Sequence, residues 1–581
     1  FVHDFVVEYL EKNDGKIEVT GSGVTKNIGV FLNKYELSGT TYNPKGTLGA
    51  NSNITVSGDS STGVLINGST STATPATATL EYGGNVSVTG NGVSGIIIGD
   101  NKTGKAEATV KENGTVTVNN GTSTSAGVYE YMEGANKKKQ GSYGIIVSKN
   151  SKLVSDGIHD INVDINVKGQ ESVGLYTGEN AKLDVKDHTV KAYEGAVNYD
   201  AEKGSTLTLK GTGTATTGQK SLLFYTGSDN ANQGKVLING TMTATIEGGT
   251  TPNTRGNAFL YVGNGGDFGK SQIENWAKNN FGDGTNSTLG HLTLNMNSGS
   301  RLFIAQNVKM DLSDTTGNTV STATGAHING TDYKTFMLYL SKLAINQDVN
   351  LDDATDAYNQ LEISNSSITN ANTKTITGTK ADQVAMAQEN DRALYHRNDV
   401  VLSNEGTINL SGAGSTGMYA KFGELYNKAT GVMTIGDKST AIYGIDDSLI
   451  ENAGKITIGS NSTGLYSEGA KTQTIKNTGT IETTGNDSVA ISYKPDAALA
   501  SGTVLENTGK ITMTGDRNTA IYATGTPGYT AKNSGTITLG DSASITSPNV
   551  GLYTDHNSVP LQNTGKIESG NNTIGVYGHN V

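Results

Sequence analysis

Apolar and polar residues alternate over short runs along most of the chain. "KITMT" (510–514), "TINLS" (407–411) and "TVTV" (115–118) each place every second side chain on one face, which is the period of a β-strand. The runs recur between fixed landmarks. Asn-x-Gly turns place Gly406, Gly454, Gly479, Gly509, Gly535 and Gly565, and "NKATG" adds Gly431. Tyrosines follow at Tyr419, Tyr443, Tyr466, Tyr493, Tyr522, Tyr553 and Tyr577. Steps of roughly 23 to 31 residues that keep landmarks and vary loops mark the coils of a solenoid.

Each unit reads as turn, strand, turn, strand. Asn and Gly at the first corner are expected to supply positive φ. The strand after it points two apolar side chains inward, as Ile456 with Ile458 and Ile511 with Met513. A corner of Gly, Ser, Asn and Asp precedes a Gly/Ala-aliphatic-Tyr strand. One coil cannot bury its apolar row alone, but stacked coils can, with backbone hydrogen bonds between them. The expected fold is all-β: a long parallel, right-handed β-solenoid. At about 4.8 Å per coil it would form a rod of very roughly 100 Å.

Three stretches follow from this rhythm: irregular coils over 1–250, coils with large excursions over 251–400, and regular coils over 401–581. Weaker copies in the first carry Gly63, Gly95, Gly127, Gly174 with Tyr176, and Gly195 with Tyr199. Residues 129–143, "YEYMEGANKKKQGSY", insert a basic loop. In "GDFGKSQIENWAKNNFGDG", Ile273, Trp276, Ala277 and Phe281 recur at helical spacing. The repeat is lost over 310–400, where "KADQVAMAQENDRALYHRND" reads as a short helix with Val384, Ala385 and Ala393 on one side. Binding residues on such a scaffold belong on the excursions. The candidates are Trp276 and Phe281 on the helix, and Tyr129, Tyr131, Lys137, Lys138 and Lys139 on the loop. The plainer reading has Trp276 pinning the helix and the lysines solvated.

Composition narrows the function. The 581 residues include 76 Gly, 7 Pro and no Cys, and the net charge is −12. The glycines keep no three-residue period, which excludes collagen. A thinly spread acidic charge excludes a phosphate-binding surface, so no nucleic-acid partner is expected. Without cysteine there is no disulfide or thiolate metal site, and no calcium-loop motif is present; no metal or cofactor is expected. The chain opens "FVHDFVVEYLEKNDGK" and ends "GVYGHNV" in mid-pattern, and reads as a piece of something longer.

Chemical motifs are few. "GNGVSG" (90–95) and "GAGSTG" (412–417) match a dinucleotide fingerprint but precede strands rather than helices, so they are corners. Asp352 with Asp353 and Asp446 with Asp447 are the tightest acid pairs, and read as turns rather than a glycosidase dyad. His556 and His579 occupy like places in consecutive coils and read as surface residues. The tyrosine column is either a core ladder or an outward amphipathic stripe. Leu65 and Ile97 at equivalent places favour the core.

The unit N-x-G-x-I-x-I-x-G-x-x-S-T-G-[LIM]-Y resembles the passenger repeats of large type V autotransporter adhesins. It is most similar to the fusobacterial kind, RadD-like or galactose-inhibitable adhesin-like. The resemblance is clear over 401–581, fainter over 15–250 and absent over 251–400. It implies a non-enzymatic, monomeric rod on the outer face of a Gram-negative cell, touching the membrane only through a C-terminal translocator barrel outside this chain. The implied partners are host glycans of galactose/GalNAc type, host cell or immune receptors, or other bacterial surfaces. A β-helical polysaccharide-degrading enzyme and a non-binding spacer remain open alternatives.

Overall fold

The computed structural model describes residues 9–578 except 21–25, 34, 38–39, 43, 68–77, 100–104, 121–128, 134–135, 227–232, 249–257, 264–265, 391–398, 470–473, 496–502, 525–528 and 556–558. The fold is all-β, a parallel β-solenoid. Among the described residues the α-helices are α1 (Lys270–Asn280) and α2 (Gly317–Thr324). The chain forms two compact units, one of Phe1–Asn264, Lys270–Ala305 and Gly317–Phe336, the other of Gly265–Gly269, Gln306–Thr316 and Met337–Val581.

Among the described residues, the second unit stacks three parallel sheets of ten, nine and eight strands. One coil runs Leu449–Asn452, Lys455–Ile458, Thr463–Gly469. There are therefore three strands per coil, not the two expected. The missing strand is the four residues ending in the landmark asparagine, in which Ile450 and Asn452 both face inward. Its single inward apolar residue is too little for the alternation to be seen.

The asparagines act differently from expectation. They do not take positive φ; all but Asn563 at the last rung are buried, and each side-chain Nδ2 donates to the Oδ1 of the next. This ladder runs from Asn370 through Asn404, Asn427, Asn452, Asn477, Asn507 and Asn533 to Asn563 at 2.7–2.8 Å. It starts at Asn370, whose Oδ1 has no donor, because Ile345 stands opposite in the preceding coil. Glycine is needed two residues on for space rather than for φ. A Cβ at Gly509 would lie 2.1 Å from the Gly479 carbonyl oxygen.

Positive φ falls instead at the second corner, on Lys438, Asn461, Asp487 and Arg517 at 55° to 58°. The next residue closes that corner. The Ser439, Ser462 and Ser488 hydroxyls accept from the backbone N–H of Ser415, Ser439 and Ser462. Each coil thus satisfies polar backbone that stacking would otherwise leave unpaired.

Two sequence expectations are corrected. Val384–Glu389 is a strand, not a helix, and Ala393 lies outside the described residues. Alternation in "VAMAQE" lets it pair in register, Met386 opposite Met418, and the hydrogen bonds of a neighbouring coil outweigh the helix propensity of Ala and Gln. The repeat also persists through part of 310–400, since Lys342–Ile345, Ser367–Asn370 and Thr375–Gly378 join the same sheets. Both G-x-G-x-x-G matches are corners. Gly90, Gly92 and Gly414 have positive φ there, and strands Ser94–Ile98 and Thr416–Lys421 follow.

In the first unit, the long strands Ala78–Thr89 and Ala106–Asn119 run through a corner and join two faces into one sheet of sixteen strands among the described residues. A second sheet stacks Ile28–Asn33, Thr62–Asn67, Ser94–Ile98, Tyr143–Val147, Val173–Thr177, Val197–Ala201, Leu222–Tyr225 and Ala258–Gly263. Helix α1 is laid on this unit by buried Ile273 and Ala277, and Asn280 Nδ2 donates to the Gly234 carbonyl at 3.1 Å.

Candidate functional site

The third strand of each coil in the second unit builds the most distinctive surface. Its alternation turns Met418, Ile442, Leu465, Ile521 and Leu552 into the core, each 0% exposed. The next residue must then face out. Tyr419, Tyr443 and Tyr466 stand opposite one another in consecutive coils, with ring centroids 5.4 and 5.2 Å apart. Tyr522, Tyr553 and Tyr577 form a second row at 4.9 and 5.3 Å, their planes within 11° of parallel. The column is therefore an outward stripe, half-buried by its own neighbours, and not the core ladder that Leu65 and Ile97 favoured. Those two residues themselves face outward in the first unit, between buried Val64 and Ile66 and between Ile96 and Ile98.

Tyr493 is the exception. It pairs with Ser467 and Ala523, while Ser492 takes the stripe position between Tyr466 and Tyr522. One extra residue between aliphatic and tyrosine sends Tyr493 inward, fully buried, with its ring edge-on to Tyr529 at 5.0 Å. The stripe is split there into two three-ring rows.

Carboxylates flank the first row. The Tyr419 hydroxyl donates to Glu389 at 3.2 Å, the Tyr466 hydroxyl donates to Glu468 at 2.8 Å, and the Tyr443 hydroxyl donates to the same Glu468. Burial first, then Glu389, pushes the Tyr419 phenol up to about 12. Burial and the hydrogen bond to Glu468 push Tyr443 up further. Such phenols stay protonated at any physiological pH. They act as donors and apolar surface, not as acids or bases. An apolar stripe edged by hydroxyls and carboxylates suits a ligand with both apolar faces and hydroxyl groups.

The candidates on the excursions are placed as follows. Phe281 is 0% exposed, so it has no surface to offer a ligand. It sits in an aromatic cluster, 5.0 Å from Phe224 and 4.8 Å from Trp276. Trp276 is half-buried, edge-on to Phe259 and Phe303 at 6.2 and 6.1 Å, which pins α1 to the solenoid as the plainer reading had it. The basic loop is an antiparallel hairpin of Tyr129–Glu133 and Asn136–Gln140, with Tyr129 opposite Gln140, Tyr131 opposite Lys138 and Met132 opposite Lys137. Lys138 and Lys139 are exposed, and Lys139 Nζ lies 3.8 Å from Glu130. The side chains of Tyr129, Tyr131 and Lys137, like His556 and His579, lie outside the described residues.

The acid pairs hold turns. Asp352 accepts from Thr379 Oγ1 at 2.7 Å, from the Thr379 N–H at 3.0 Å and from Gln383 Nε2 at 2.9 Å. These bonds hold its carboxyl down to about 2. Asp353 accepts instead from Thr355, so the two carboxylates serve different partners. Asp446 is itself a corner residue of positive φ. Among the described residues, no three His, Cys, Asp or Glu side chains come together to hold a metal, and no helix is long and apolar enough to cross a membrane. No protein-family model matches the chain, and no curated protein matches it by sequence.

Proposed function

We propose that this solenoid is a cell-surface adhesin segment that binds carbohydrate through its tyrosine stripe. The single observation behind this reading is the outward row Tyr419–Tyr443–Tyr466 with Glu389 and Glu468 at its edge. A pyranose offers an apolar C–H face to aromatic surface and hydroxyls to carboxylates, and the stripe supplies both. The scaffold serves by presentation: coils fix the row rigidly, and many copies on one cell multiply weak contacts into avidity. The repeat's resemblance to autotransporter passengers supports a setting outside a Gram-negative cell and makes host glycans of galactose/GalNAc type the first ligand class to try.

The test is a glycan array probed with the purified chain, with and without free galactose. Saturable binding that galactose competes supports the reading. A blank array counts against it and turns attention to host receptor proteins, partner bacteria or a spacer role.

A further inference from the structure

Outward positions of the second sheet in the first unit form a column of their own. Register places Phe31, Leu65, Ile97, Ile146, Tyr176, Asp200 and Tyr225 in line, one per coil. Every member but one is apolar or aromatic. The exception, Asp200, is only 9% exposed, and its Oδ1 has no hydrogen-bond partner. Beside it opens a groove of about 510 Å³ lined by Tyr143, Ile146, Tyr176, Glu202 and the Lys149–Glu179 and Lys203 rim. Tyr143 and Tyr176 meet edge to face there, with centroids 6.3 Å apart.

Charge in the groove is unevenly matched. Lys149 pairs with Glu179 at 2.5 Å, and Lys149 and Lys203 together hold the Glu179 carboxyl below its ordinary value. Among the described residues no cation pairs with Asp200 or Glu202. Burial raises both carboxyls, and Glu202 raises Asp200 further. A leucine or tyrosine at 200 would continue the column at no such cost, since an unpartnered buried carboxyl is destabilising. Departures of this kind concentrate at binding sites.

We infer that this groove binds an organic ammonium group, held between the Tyr143 and Tyr176 rings and the Asp200 and Glu202 carboxylates. Tyrosine faces attract a cation within about 6 Å of the centroid. The ligand would supply the positive charge that Asp200 lacks. Burial favours the protonated form of Asp200 and a bound cation favours the ionised one, so binding shifts this carboxyl toward proton release. The groups that face it are Tyr143, Tyr176, Tyr225 and Glu202, with Lys149, Glu179 and Lys203 at the rim.

Choline and its uncharged isostere 3,3-dimethylbutan-1-ol are the probes, with methylammonium as a second cation, titrated calorimetrically into the whole chain. The expected result is saturable binding of a cation, none of the isostere, and proton release on binding, read from two buffers of different ionisation enthalpy. Choline carries a permanent charge, so its released proton comes from the protein. Asp200→Asn should weaken binding roughly tenfold or more and abolish proton release; Tyr176→Ala should weaken binding with release intact. Equal binding of choline and isostere, no binding of either cation, or binding unchanged in Asp200→Asn would overturn the inference. None of these outcomes bears on the tyrosine stripe of the other unit.

Discussion

Replacing Asn477 with alanine cuts the asparagine ladder at its middle. Asn477 Nδ2 donates to Asn507 Oδ1, and its Oδ1 accepts from Asn452 Nδ2, both at 2.7 Å. Loss of the two bonds costs about 2 kcal/mol net. The partners then differ. Asn452 Nδ2 keeps a second acceptor, the Thr480 carbonyl at 3.3 Å, whereas Asn507 Oδ1 stays buried without a donor, at a further ~1–3 kcal/mol. The expected total is about 3–5 kcal/mol, with the polarised chain of amides pushing it toward the upper end. Because a solenoid opens in pieces rather than all at once, urea unfolding should be paired with hydrogen exchange at Thr508 and Gly509, whose N–H groups bond the Asn477 carbonyl. Asn563→Ala is the control: that residue is exposed at the last rung and should cost far less. The double variant Asn477→Ala/Asn507→Ala should cost less than the sum of its parts, since the second change removes the orphaned oxygen. Equal costs at 477 and 563, or a loss below about 1 kcal/mol at 477, would refute the ladder as a source of stability.

Other outcomes follow from the same geometry. Gly509→Ala drives a Cβ to 2.1 Å from the Gly479 carbonyl and should cost about 2 kcal/mol or more in the same unfolding assay. Phe281→Ala empties the centre of the aromatic cluster and should cost about 3–5 kcal/mol, exposing α1 to limited proteolysis. The Asp200 carboxyl sits well above its ordinary 3.8 in the folded chain, so between those values the folded state holds a proton that the unfolded state has released. Stability then falls as pH rises above about 4; Asp200→Asn should be the more stable form at pH 7, and the gap should close toward pH 4. A parallel pair of melting curves checks it, and a gap independent of pH would contradict the assignment.

How far the sequence disclosed this molecule differs from element to element. The strands "KITI" and "TGLY" were legible because two inward apolar residues make the alternation plain. The strand "LIEN" was not, because its second inward residue is Asn452, a polar side chain that is at home in the core only when a neighbour in the next coil completes its hydrogen bonds. Glycine's role was misassigned for a related reason: crowding between coils is a property of the stack, and a single repeat does not display it. The outward stripe was partly legible. In "GLYS" the tyrosine follows the inward leucine directly, whereas in "AISYK" and "AVNYD" a residue intervenes, and that spacing separates outward Tyr466 from inward Tyr493 and Tyr199. Helix α1 was legible from Ile273, Trp276, Ala277 and Phe281, but their periodicity marks the face that packs inward, so it named a core contact as readily as a binding one. Asp200 carried no signal, since its burial depends on the rings of neighbouring coils.

The function proposed for this chain rests on the tyrosine stripe as the carbohydrate-binding surface. Its most direct test compares the parent chain with Tyr419→Ala/Tyr443→Ala/Tyr466→Ala on one glycan array, with circular dichroism confirming that both keep the solenoid. Galactose-competed binding by the parent and its loss in the variant are the expected results. Undiminished glycan binding by the folded variant would contradict it.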